Sequence, residues 1–83
     1  MRLRSTEISA RAIGDETIIL SLPDSQYFSV TGIGTRIVAM LDKDTTLPEM
    51  VTAITTEYEV DEDTARRDIE AFLGRLRDAR LLA

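Results

Sequence analysis

The sequence contains no Cys, no His and no Trp, little Gly and Pro, and only 5% aromatic residues. Each absence removes a class of chemistry. Without Cys there is no disulfide scaffold, which fits a reducing, cytoplasmic setting. Without Cys and His there is no thiol nucleophile, no imidazole base, and no thiolate or imidazole ligand for a metal. Catalysis would fall to hydroxyls and carboxylates, in a chain of 83 residues that is too short to enclose a deep pocket. The expectation is a protein with no catalytic residues, no metal and no cofactor. No apolar run is long enough to span a bilayer, and the N-terminus lacks the basic-then-apolar pattern of a secretory signal. Positive charge is also scarce: 10 Lys and Arg against 15 Asp and Glu leave a net charge of −5, the opposite of a phosphate-binding footprint.

What is present is the composition of one ordinary domain, 1–83, with 43% apolar and 30% charged residues. The first third alternates as strands do. Glu7-Ile8-Ser9-Ala10-Arg11-Ala12-Ile13 is followed by the turn signal Gly14-Asp15. In Glu16-Thr17-Ile18-Ile19-Leu20-Ser21-Leu22, Ile18, Leu20 and Leu22 share one face at period two. Pro23-Asp24-Ser25 supplies turn residues, and Gln26-Tyr27-Phe28-Ser29-Val30 resumes the extended pattern. There Phe28 and Val30 face one way, Tyr27 and Ser29 the other.

From Thr31 the period lengthens to that of a helix. Ile33, Ile37, Val38 and Leu41 form one apolar face, with Thr31 as the expected cap. Gly34 inside this helix costs about 1 kcal/mol against Ala, which predicts a close neighbour packed upon it. Thr46-Leu47-Pro48-Glu49 reads as a capping box with Pro in the first turn of a second helix. Leu47, Met50, Val51, Ile54 and Tyr58 are its stripe. Asp61 caps a third helix whose stripe is Ala65, Ile69, Phe72, Leu73 and Leu76, with Val60 and Ala65 placed as a hydrophobic staple. The expected fold is α+β: a three-stranded antiparallel sheet followed by three helices, winged-helix-like in outline.

Asp24-Ser25 is also the dipeptide to which acyl carrier proteins attach a phosphopantetheine arm. In a carrier the modified Ser opens a helix. Here Ser25 follows one strand and precedes another, so a hairpin turn is the better reading.

Three stretches carry a family resemblance. They are ILSLPDSQYFSVTGIGTRIVAML, TTLPEMVTAITTEYEVDEDTARRDIEAFLGRL, and the closing LRDARLLA. Together they resemble the PqqD-like family, the recognition elements that bind leader peptides of ribosomally made, modified peptides. The likeness covers 17–82. Departures occur at Val38, where relatives often carry Trp, at Arg80, where Gly is common, and at Val30-Thr31, where many have Leu-Asn. The resemblance implies a winged-helix-like domain on which the leader pairs as an extra strand along the third strand, beside the third helix. Stand-alone proteins of this size resemble the recognition partner in lasso-peptide maturation, where a separate cysteine protease removes the leader.

The residues themselves agree with such a role. In a meander the third strand is an edge, and 26–30 contains no Pro, Gly or charge to guard it. Main-chain pairing there would recruit Gln26, Tyr27, Phe28, Ser29 and Val30. The third helix would lend Ile69, Phe72 and Leu76 as apolar contacts, and Arg66, Asp68 and Arg75 as charges. Tyr27 is the expected groove anchor, since its face turns away from Phe28 and its hydroxyl favours a wet rim. Each apolar member of this set also fits a core role, and Arg66 with Glu70 fits an exposed i,i+4 pair. Rival readings are an acidic winged-helix module for protein or DNA, and the carrier protein discussed above.

Overall fold

The computed structural model describes residues 1–4, 6–22 and 25–83. Its elements follow the expected order: β1 (Ile8–Ile13), β2 (Glu16–Ser21), β3 (Gln26–Thr31), α1 (Ile33–Met40), α2 (Leu47–Glu57) and α3 (Glu62–Asp78). The strands form one antiparallel sheet in the order β1-β2-β3. Gly14 takes φ +61° in the two-residue turn between β1 and β2, a conformation Gly adopts without a Cβ penalty. Pro23 and Asp24, two residues of the expected second turn, lie outside the described residues. Ser25 donates its N–H to the Leu22 carbonyl at 3.3 Å and is followed directly by β3, so no helix opens at this serine.

Ile18, Leu20 and Leu22 do share one face of β2, but it is the outer one: Leu20 is 45% and Leu22 68% exposed. Thr17, Ile19 and Ser21 are buried instead. The register explains the choice. Ile19 pairs with Phe28 and Thr17 with Val30, so the apolar face of β3 and this face of β2 point to the same side. The helices cover that side, burying Ile19 and Val30 with Ile37, Leu41, Met50, Ile54, Ile69 and Leu73. Each such side chain removed from water contributes about 1.5–3 kcal/mol.

The helix ends follow from local chemistry. Thr46 accepts the Glu49 N–H at 3.3 Å, and its hydroxyl donates to the Glu49 carboxylate at 2.9 Å. Asp61 accepts the Thr64 N–H at 2.7 Å, which lowers its pKa. At α1 the expected cap is displaced by one residue: Thr31 completes β3, and Gly32, at φ +62°, occupies the cap without a side-chain bond. α3 closes with the Leu81 N–H donating to Leu76 O and the Arg80 N–H to Arg77 O, both at 2.9 Å. This pair of hydrogen bonds requires a left-handed residue just past the cap, and Arg80 takes that role at φ +61°. The first and last segments meet, as the Arg4 N–H donates to Leu81 O at 2.8 Å and Leu3 bridges Leu82.

Candidate functional site

β3 is an edge with an open hydrogen-bonding side, and the register shows which groups it presents. The two-residue Gly14-Asp15 turn makes Ile13 and Glu16 a mutually hydrogen-bonded pair. Alternation along the ladder then directs the backbone groups of Thr17, Ile19 and Ser21 toward β3, where they meet Val30, Phe28 and Gln26. The intervening residues Tyr27, Ser29 and Thr31 therefore aim their N–H and C=O groups away from the sheet.

Beside this edge lies a groove of about 550 Å³. β3 supplies Phe28, Ser29, Val30 and Thr31 to its lining. α3 supplies Asp68, Ile69, Phe72, Arg75 and Leu76 as the opposite wall, and Ile33, Gly34 and Ile37 of α1 complete it. Gly34 is what allows the groove to close at its base. A Cβ there would collide with Val30 Cγ1 and stand 3.3 Å from Phe72 Cε1. The close neighbour predicted from a Gly inside a helix is thus the pair Val30 and Phe72. Phe72 remains half-buried, and the Arg75 guanidinium lies 5.4 Å from its ring centroid, in cation–π range.

Of the residues expected at the site, the groove brings together Phe28, Ser29, Val30, Asp68, Ile69, Phe72, Arg75 and Leu76. It leaves out Gln26, Tyr27 and Arg66. Tyr27 pairs with Leu20 on the outer face of the sheet and is 70% exposed, so its side chain does not line the groove. Alternation separates the two faces of β3 correctly, but the face that borders the groove is that of Phe28 and Val30. Arg66 pairs with Glu62 at 3.6 Å rather than with the expected Glu70. Thr31, Ile33, Gly34 and Ile37 join the lining without having been expected there. Of these only Gly34 carries a sequence signal, because a helix interior seldom spends stability on Gly without a packing reason.

The lining is mostly aliphatic and aromatic, suited to binding rather than to acid–base work. Among the described residues no group of His, Cys, Asp and Glu could hold a metal ion. The carboxylates with clearly lowered pKa lie elsewhere. Asp44 is held down by the N-terminal ammonium, Glu57 by Arg36, and Asp61 by the Thr64 backbone N–H. No described helix is long and apolar enough to cross a membrane.

Two solved structures share this architecture over nearly the whole chain. One, TbiB1 in complex with the TbiA(beta) leader peptide, is 35% identical, with a TM-score of 0.91 over 99% of this chain and 94% of that one. The other, lasso peptide synthetase B1 complexed with the leader peptide, is 28% identical, with a TM-score of 0.85 over 96% and 93%. No curated protein sequence matches. The family model for coenzyme PQQ synthesis protein D (PqqD) matches residues 16–82. With that match covering most of its length, the chain belongs to the PqqD family.

Proposed function

We propose that this protein binds the leader segment of a ribosomally synthesised precursor peptide, as a recognition partner in lasso-peptide maturation. The leader docks as a fourth strand on β3, pairing with the outward backbone groups of Tyr27, Ser29 and Thr31. Its alternate side chains enter the groove against α3. The observation that carries this reading is the conjunction of an uncharged, unpaired edge with a 550 Å³ apolar groove immediately beside it. An edge alone invites indiscriminate pairing, whereas an edge with a groove can select side chains. Both structural relatives are complexes with leader peptides, and the groove residues fall within the span matched to the family.

The chain acts without chemistry of its own. It holds the leader in the cytoplasm, where precursor peptides are made, for a separate cysteine-protease-type leader peptidase or another modifying enzyme. An affinity between micromolar and nanomolar, about −8 to −12 kcal/mol, suits a partner that must deliver and release. The test is a fluorescence-anisotropy titration with the leader of the precursor peptide encoded beside this chain. Saturable binding that disappears on shuffling the leader, with amide shifts concentrated at 27–31 and on the groove face of α3, is the expected result. A folded sample that does not bind this peptide would overturn the reading.

A further inference from the structure

Two of the described residues lining the groove are ionisable, and they carry opposite charge. Asp68 and Arg75 lie seven positions apart on α3, about two turns, and therefore on the same helical face. Phe72 stands between them. Neither has an ion-pair partner among the described residues, although other charges on the same helix do: Arg66 with Glu62 at 3.6 Å, and Arg77 with Asp78 at 3.5 Å. The groove thus presents a fixed order along its wall: an anion, an apolar ring, and a cation laid against that ring.

We infer that Asp68 and Arg75 read a complementary pair of charges in the bound leader, an inference that rests on the strand-docking reading above. Geometry sets the spacing. Seven helical residues rise about 10.5 Å. On an extended strand, residues of one face recur every second position, and four residues span about 13 Å. The flexible stem of Arg75, and of a Lys or Arg in the peptide, takes up the difference. The peptide recognised has a basic residue opposite Asp68 and an acidic residue four positions away opposite Arg75. The residue midway between them is apolar and rests on Phe72. Such rim charges select sequence and register more than they add affinity, which the apolar groove and the main-chain bonds supply.

The test uses the full chain and two labelled peptides: the leader of the adjacent precursor, and the same leader with those two charges exchanged. Asp68→Lys and Arg75→Glu should each weaken binding of the natural leader about five-fold, with the loss shrinking as salt is raised. The doubly reversed protein should prefer the exchanged leader over the natural one by a similar factor. A variant that has merely lost its fold cannot acquire that preference. Should a reversed variant fail to fold, Asp68→Asn and Arg75→Gln keep the shapes, and each should weaken binding about two-fold. If the natural leader binds the unaltered protein but neither reversal nor neutralisation changes its affinity, the charge-reading proposal is wrong and strand docking stands. The proposal fails in the same way if the protected segment of the leader lacks opposite charges four apart. If the unaltered protein does not bind the leader, strand docking fails and takes this proposal with it.

Discussion

The sheet has two edges, and they are built differently. β1 and β3 each offer six residues and a row of unpaired backbone groups. Beneath β3 the chain places Phe28, Val30, α1 and the apolar side of α3, forming a groove of about 550 Å³. β1 overhangs the helical layer, with Ala10 and Ala12 exposed on the side where β3 carries its apolar residues. The cleft near it is about 250 Å³ and is lined by Arg2, Arg4 and Asp42 as well as Leu3, Ile8, Ala10 and Leu41. Arg11 stands on the strand itself. A peptide strand added at β1 would gain main-chain bonds but little apolar burial, and would meet charge. A free edge therefore provides only the generic half of peptide binding. What lies under the edge provides the selective half.

The sharpest way to break this contrast is to place a proline on each edge. Ser29→Pro removes an outward N–H from β3, and Ala12→Pro removes the equivalent one from β1; neither N–H bonds within the sheet by the ladder alternation. The expected result is a loss of leader affinity of about 2 kcal/mol or more, roughly 30-fold, for Ser29→Pro. Ala12→Pro should leave the dissociation constant within about two-fold, because proline is tolerated on a free edge. Equal losses in anisotropy titrations of the two variants would mean that the leader does not choose β3.

The two faces of β3 can be separated in the same assay. Phe72→Ala empties the wall of the groove and should weaken leader binding by about 1–2 kcal/mol. Tyr27→Ala acts on the outer face and should cost under about 1 kcal/mol, since an exposed cross-strand pair is worth only tenths to one. A larger loss at Tyr27 would move the selective contacts to the outer face of the sheet.

Gly34→Ala tests the base of the groove. The added methyl collides with Val30 Cγ1, and Val30 is buried, with little room to give. Overpacking costs about 1–3 kcal/mol and the gain in helix propensity returns about 1, so denaturant unfolding should show a net loss of about 1 kcal/mol. The leader should also bind more weakly, as Phe72 is pushed into the groove. At the end of α3, Arg80→Gly relieves the left-handed strain, since Arg80 sits at φ +61°. It should raise stability by about 1 kcal/mol and leave leader affinity within about two-fold, because the Arg80 side chain is not part of the groove lining.

Much of this architecture is legible in the sequence because it rests on local rules. Period-two alternation marks all three strands, and Thr46-Leu47-Pro48-Glu49 and Asp61 mark the starts of α2 and α3. Gly34 flags a close approach without naming its partners. The departures share one cause. Ile18, Leu20 and Leu22 are more apolar than Thr17, Ile19 and Ser21, so a strand read alone is turned the wrong way. Tyr27 is drawn into the groove by the same kind of single-strand argument. The pairing of N- and C-terminal segments, Leu3 with Leu82, has no local signal at all.

The sequence by itself determined the element order, the N-terminal caps of α2 and α3, the lack of thiol and imidazole chemistry, and the uncharged third strand. Those depend on neighbours a few positions apart, where steric preference and backbone hydrogen bonding act directly. The tertiary structure alone decided which face of the sheet is covered and which residues meet across the groove. A strand has two faces of similar cost until another element buries one of them. Here the register ties Ile19 to Phe28 and Thr17 to Val30, and the fit of Gly34 and Phe72 against Val30 fixes the helices on that side.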